Sequence, residues 1–262
     1  MITPIPFDPH RFRSAAAHYL QGRPDYAPGL VPRVAGLCGL DGAGMALDLG
    51  CGPAQLARAL LPFVASVLAM DPEPEMLGVG QSFSVGLPII FQQGSSQDLA
   101  PGMGPFRIAV IGRAFHWMDR VETARQLDGL ITPGGALVLF SDVHPDVPDN
   151  AWRAPYQAAL DSVIGGGNRA AWRGPGWVKH EAILLDSPFP VLERIGMVER
   201  LRTPVATMVQ RAQSMSSTSR DRLGDAGIAR LLEAVEAVLV PVAVDGMVTE
   251  VVESVALIAR RA

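Results

Sequence analysis

An acid, two glycines and a helix-like run stand close together near the N-terminal third of the chain, LDLGCG at 47–52 and AQLARALLPF at 54–63. An apolar strand reaches Asp48 and then turns through Gly50 and Gly52 into the helix. Glycine lets a backbone turn tightly and approach a ligand with no side chain in the way. The helix that follows aims its unpaired N–H groups and the positive end of its dipole at the same spot. Such a turn is a nucleotide-type cofactor site. The dinucleotide pattern G-x-G-x-x-G needs a third glycine for close helix–strand packing, and Gln55 holds that position here. Asp48 would also set a carboxylate beside a pyrophosphate, whereas a cationic ligand group there is favoured. A nicotinamide cofactor therefore rests on the two-glycine turn alone.

Further segments repeat the theme of a strand ending in a functional turn. VLAMDPEPEML at 67–77 ends a strand at Asp71, 23 residues after Asp48. A carboxylate so placed can accept both ribose hydroxyls of a nucleotide; the alternative is a cap for the helix behind it. GSSQDL follows at 94–99, AFHWMD at 114–119 and LITPGGALVLF at 130–140, with AAAHYLQGRPDYAPGLV at 15–31 as a lead-in. With LDLGCGPAQL, these runs resemble the motifs of the class I S-adenosylmethionine-dependent methyltransferases. The likeness is to the methyltransferase type 11 branch, which includes trans-aconitate methyltransferase-like small-molecule enzymes. It covers most of the chain and speaks to cofactor and fold more than to substrate.

The resemblance implies a set of cofactor contacts. Asp71 would bind the ribose with Pro72 beside it, and Gly50, Cys51 and Gly52 would form the turn. Asp48 would orient the ammonium group or hydrogen-bond the turn's backbone. Tyr19 would close over the methionine end, with Arg23 near its carboxylate or in a salt bridge across the lead-in. Arg113 and Ala114 follow the fourth strand on the cofactor side. The adenine segment departs from the family pattern, which places acids where Ser95 and Gln97 stand. The backbone N–H groups of Ser96 and Gln97 could read the adenine edge, with Ser95 or the Gln97 amide as acceptor. Neutral acceptors bond less strongly than ionised ones. Arg107 replaces another usual acid, and nothing in the sequence explains it.

Substrate residues are harder to read. His116 and Trp117 follow the fourth strand, where the family delivers its methyl group. Imidazole titrates near neutral pH and can act as a general base for a hydroxyl or amine. His116 can equally be a packing residue that shapes the pocket, and a carboxylate acceptor, already ionised, would need no base. Tyr156, Arg169, Trp172 and Arg173, with Trp152 and Trp177, could form an aromatic pocket with a guanidinium clamp for a carboxylate. They could as well be core tryptophans and solvated arginines. The serine-rich run SMSSTSRDR at 214–222 reads as a turn with a helix N-cap.

Positioning these residues calls for alternating elements. Strands are expected near 45–49, 66–70, 88–92, 107–112 and 135–141, with helices at 54–63, 73–80 and 119–129. Short apolar strands interleaved with helices imply a parallel sheet covered on both faces, with ligands outside the strands' carboxyl ends. A helical lead-in over 1–40 is broken by Pro24, Pro28 and Pro32; the cofactor core spans 41–141. Two insertions, 142–190 and 204–245, should fold over the crevice as a lid, with a strand near 197–203 between them and a last strand in 246–262. The resemblance makes that last strand antiparallel. The expected fold is α/β and Rossmann-like: a single domain over 1–262, with a seven-stranded, mostly parallel sheet and helices on both faces.

Composition bounds the partners. With 262 residues the chain can bury a sizeable core. A net charge of −4 gives no basic face for nucleic acid. No apolar run approaches the ~18 residues of a membrane span, and the N-terminus has no signal-peptide core, so a cytoplasmic setting is expected. Oligomeric state is not legible. The expected activity is methyl transfer from S-adenosylmethionine to a small molecule, at a carboxylate or hydroxyl oxygen, leaving S-adenosylhomocysteine. The rival reading is a protein that binds S-adenosylmethionine without transferring its methyl group, for isomerisation or as a binding module.

Overall fold

The structure, a computed structural model, describes residues 7–164 and 177–262. Seven strands form one sheet: β1 (Met45–Leu49), β2 (Ser66–Asp71), β3 (Ile89–Gln93), β4 (Phe106–Gly112), β5 (Ile131–Val143), β6 (Val191–Pro204) and β7 (Met247–Arg260). Their order is β3-β2-β1-β4-β5-β7-β6. β7 alone runs against its neighbours β5 and β6, and the other pairings are parallel. The sheet switches direction between β1 and β4, so a crevice opens beyond their carboxyl ends, where open α/β sheets bind ligands.

The apolar runs form strands because both faces of the sheet are covered. On one face α2 (Leu30–Leu37) and α3 (Gln55–Leu60) bury Leu30, Val34, Leu56 and Leu60 against Ala46, Val110 and Val138. On the other, α5 (Arg120–Asp128) and α7 (His180–Leu185) bring Leu127 and Leu184 onto Leu47, Ala109 and Leu137. α4 (Pro74–Ser82) follows β2, its N-cap Glu73 accepting the Glu75 N–H at 3.2 Å. The lead-in contributes α1 (Ala16–Gly22) as well as α2. Pro32 does not break α2: it lies in the first turn, where an N–H has no helical partner to lose.

A third core lies apart from the sheet. α6 (Arg153–Ile164), α8 (Val205–Gln213) and α9 (Arg220–Leu239) bury Trp152, Tyr156, Met208, Leu231 and Val235 together with Val248 of β7. The expected first insertion thus divides. Residues 153–164 join this cap, whereas α7 and Phe189 pack into the sheet's own core. β6 is also longer than expected, because as an edge strand its Glu and Arg residues alternate with half-buried apolar ones and mask its start.

Candidate functional site

The glycine turn is built by β1, β2 and α3. Gly50 and Cys51 donate their N–H groups to the Met70 carbonyl at 2.7 and 3.1 Å. Gly52 donates to Asp71 Oδ2 at 2.8 Å. Gly50, Gly52 and Ala54 all have positive φ, at 68°, 51° and 59°. A Cβ on Gly50 would stand 2.7 Å from that of Ala114, so no other residue fits there. β2 takes up these N–H groups, leaving no ring of donors for a pyrophosphate.

Above the turn lies a cavity of about 280 Å³. Asp71 and Pro72 from the end of β2, Ser95–Gln97 after β3, and Arg113 and Ala114 after β4 line it. Asp71 Oδ1 accepts the Glu73 N–H at 2.9 Å, so each carboxylate oxygen holds one backbone donor and keeps room for another. Burial raises this carboxyl to about 6, against the pull of the two N–H bonds. Hydroxyl donors from a ligand would complete its hydrogen bonding.

Of the two places expected for Asp48, facing the ligand or bonding to backbone, the side chain takes the second. It lies beneath the turn, 1% exposed and outside the cavity lining. Its Oδ2 accepts the Ala57 N–H at 2.9 Å, capping an otherwise unpaired donor in the first turn of α3. Burial raises its carboxyl to about 7. Cys51 is likewise buried in the core beside α3, its thiol donating to the Gly52 carbonyl.

The adenine segment forms a capping box. Ser95 Oγ accepts the Gln97 N–H at 3.1 Å and donates to Asp98 Oδ2 at 2.9 Å, which also accepts the Ser95 N–H at 2.8 Å. The Gln97 N–H, one of the two expected to read the adenine edge, is thus committed to the turn. Arg107, unexplained by the sequence, ties β4 to Asp41 at 3.0 Å and to the Gly39 carbonyl at 2.8 Å.

The lead-in covers the cavity. Phe7, Arg11, Phe12 and Tyr19 line it, and Phe12 packs edge-on to Trp117 with centroids 5.8 Å apart. The Arg11 guanidinium stands 4.6 Å over the same indole. Sequence reading missed Phe7, Arg11 and Phe12, and also Met118 and Asp119 on the lining. The aromatic and basic residues of FDPHRF were the signal for the first three.

A niche of about 30 Å³ adjoins this cavity, sharing Phe12, Tyr19, Arg113 and Trp117 with it. Arg23 lines the niche rather than the larger cavity, together with Ser216 and Ser217 of the α8–α9 turn. Arg113 pairs with Asp142, donates to the Pro24 carbonyl at 2.8 Å and lies 4.5 Å over Tyr26. Burial alone would lower its pKa, but Tyr26 and Asp142 hold it above the ordinary value.

The expected substrate residues scatter. Trp117 lines both spaces, whereas His116 lines neither and stacks 4.5 Å from Trp117. Tyr156 belongs to the cap core, its hydroxyl donating to the Met208 carbonyl at 3.1 Å. Trp152 lies there too, donating to the Thr249 carbonyl. Trp177 lies under the Arg120 guanidinium at 4.1 Å, away from both spaces. Arg169, Trp172 and Arg173 lie outside the described residues. No helix among the described residues is long and apolar enough to cross a membrane.

Residues 46–135, from β1 to the start of β5, match a family model described as a methyltransferase domain. An uncharacterized methyltransferase of Mycobacterium tuberculosis is 30% identical over 184 residues, 70% of this chain and 67% of that one. Among solved structures, a proposed type II methyltransferase of Anaeromyxobacter dehalogenans is similar with a TM-score of 0.60 at 22% identity, covering 91% of this chain and 97% of that one. An S-adenosylmethionine-dependent methyltransferase of Thiobacillus denitrificans, solved with S-adenosylhomocysteine, gives 0.53 at 12% identity, covering 99% and 100%. These two likenesses concern the fold.

Proposed function

The chain belongs to the class I S-adenosylmethionine-dependent methyltransferases, and from that premise we propose that it methylates an oxygen of a small molecule, a carboxylate before a hydroxyl. Its cofactor is S-adenosylmethionine. The residues fit that group. Asp71 offers two half-satisfied oxygens to a ribose, and a Cβ on Gly52 would project toward the cavity with only Met76 Sδ near, at 3.9 Å. When bound, the cofactor would supply an electrophilic methyl group for the acceptor oxygen, with its sulfur as the leaving group. The protein's part is to align the partners and keep water out. Phe12, Trp117 and the lead-in do the second by roofing the cavity.

The observation that carries the choice of oxygen is the placement of His116 outside both spaces. A hydroxyl acceptor is helped by a base within hydrogen-bond reach, and the carboxylates on the cavity lining, Asp8, Asp71, Glu73 and Asp119, already accept backbone N–H groups. A carboxylate acceptor needs no base, because it is ionised at neutral pH. The experiment is S-adenosylhomocysteine formation by the purified protein over a panel of small acids, phenols and amines. Turnover with acids, unchanged in His116→Ala, is the expected result. Binding of S-adenosylmethionine without turnover on any class would favour a protein that holds the cofactor without transferring its methyl group.

A further inference from the structure

The niche beside the cofactor cavity holds a cation with no ion-pair partner among the described residues. Arg23 sits at the end of α1, and its Nε is buried with no hydrogen-bond partner. Among the described residues no carboxylate forms an ion pair with Arg23, whose guanidinium lies 5.6 Å from the centre of the Tyr19 ring. The nearby acids are engaged elsewhere: Asp142 with Arg113, and Glu250 with Arg211 at 2.7 and 2.9 Å. Burial pushes the Arg23 pKa below its ordinary value, and Arg113 and Arg211 push the same way, against Tyr19 and Asp142. A cation held like this lowers the stability of the empty protein unless something compensates it.

The turn between α8 and α9 lines the same niche. Ser214, Thr218 and Ser219 bond back to the carbonyls of Arg211, Ala212 and Ser216 and so fix the turn between α8 and α9. Ser216 and Ser217 face the niche from that turn. Arg23, Ser216 and Ser217 line the same niche, and a guanidinium with serine hydroxyls beside it is the chemistry that takes a carboxylate. The niche opens beside Tyr19 and Trp117, which also line the cofactor cavity.

We propose that Arg23, Ser216 and Ser217 form an anion subsite that anchors a carboxylate of the acceptor, distinct from the oxygen that is methylated. An oxygen paired with a guanidinium is a poor nucleophile, so the acceptor carries a second oxygen group that reaches the cofactor cavity. The serine-rich turn then acts as a substrate-recognition element. This rests on the cofactor occupying the larger cavity.

The test uses calorimetry with S-adenosylhomocysteine, followed by succinate, with neutral succinamide as control, titrated into the loaded protein. Wild type should bind succinate and not succinamide. Arg23→Gln and the double variant Ser216→Ala/Ser217→Ala should each weaken succinate at least tenfold and change S-adenosylhomocysteine affinity less than twofold. Arg23→Gln should also raise Tm of the ligand-free protein by about 1–3 °C, as relief of a half-buried charge does and loss of a structural contact does not. Failure of the wild type to bind succinate, or equal binding by the variants, overturns the subsite. So does tenfold weaker S-adenosylhomocysteine binding in Arg23→Gln, which would assign Arg23 to the cofactor's carboxylate. If S-adenosylhomocysteine does not bind at all, the cofactor reading fails, and succinate titrated into the ligand-free wild type and variants judges the subsite by the same criteria.

Discussion

Two carboxylates 23 residues apart in sequence do opposite work. Asp71 faces the cavity and Asp48 supports the turn from below, and spacing alone could not separate these roles. Position at a strand end was legible; which side of the turn each side chain faces depends on the tertiary path of α3. Both carboxyls are raised by burial, and the consequences differ. Ribose hydroxyls favour an ionised Asp71, so S-adenosylhomocysteine affinity should fall as pH drops below about 6, near tenfold per unit. Calorimetry from pH 5 to 8 checks this, and a flat wild-type profile would sink the ribose assignment. Asp71→Asn should bind at least tenfold more weakly at pH 8, ~1.4 kcal/mol, and lose the pH dependence. Asp48 acts on stability. Its folded pKa of about 7 lies above the unfolded value, so its contribution is complete below about pH 4 and declines as pH rises through 7. Asp48→Asn keeps an acceptor for the Ala57 N–H and removes that burden. Denaturant unfolding should find it on the order of 3 kcal/mol more stable than wild type at pH 8 and nearly equal at pH 4.

The lead-in is the element whose part in the site the sequence showed at Tyr19 and concealed at Phe7, Arg11 and Phe12. Insertions after β5 were expected to roof the crevice; among the described residues Phe7, Arg11, Phe12 and Tyr19 of the lead-in line the cavity. The second insertion reaches the neighbouring niche through Met215, Ser216 and Ser217, and residues 165–176 of the first lie outside the described residues. Strands β1, β2 and β4 were readable because buried parallel strands are continuous apolar runs. A lid of a few aromatic and basic residues has no such period. Its anchorage can be tested at Gly22, the last residue of α1. A Cβ there would lie 2.5 Å from the Arg211 backbone nitrogen, and the Gly22 carbonyl accepts from Arg211 Nε at 3.0 Å. Backbone cannot swing aside as a side chain can. Gly22→Ala should therefore separate α1 from α8 and destabilise by about 1–3 kcal/mol. It should also weaken cofactor binding, because Tyr19 precedes it on the same helix. Phe12→Ala should leave Tm nearly unchanged and speed S-adenosylhomocysteine dissociation about two- to tenfold through loss of the Trp117 contact. A stopped-flow displacement assay showing no change in dissociation would remove the lid role.

Across the whole molecule, the cap and the sheet meet through charge as well as apolar packing. Glu250 of β7 is 0% exposed and accepts from Arg211 of α8 through both carboxylate oxygens, from Thr203 of β6, and at 3.1 Å from His144 beyond β5 when that ring nitrogen carries the proton. Burial alone would raise its pKa, but Arg211, His144 and Thr203 hold it well below the usual carboxylate range. Stability from this group is present above the ordinary carboxylate pKa and lost as pH falls toward the depressed one. The same arginine bonds Gly22, so one side chain joins lead-in, cap and sheet beside the niche. Glu250→Ala leaves Arg211 buried without its partner and should cost about 3–5 kcal/mol. Arg211→Met/Glu250→Leu removes both charges and should cost less than Glu250→Ala alone, since burying the pair is itself expensive. Hydrogen exchange separates local from global effects: in Glu250→Ala, the amides of α6, α8 and α9 should lose protection together while those of β1 and β4 keep theirs. Uniform loss across both would make the cap part of a single cooperative unit. Selective loss would mean that the subsite's serine wall can open while the cofactor turn stays folded, which is what an acceptor needs in order to enter.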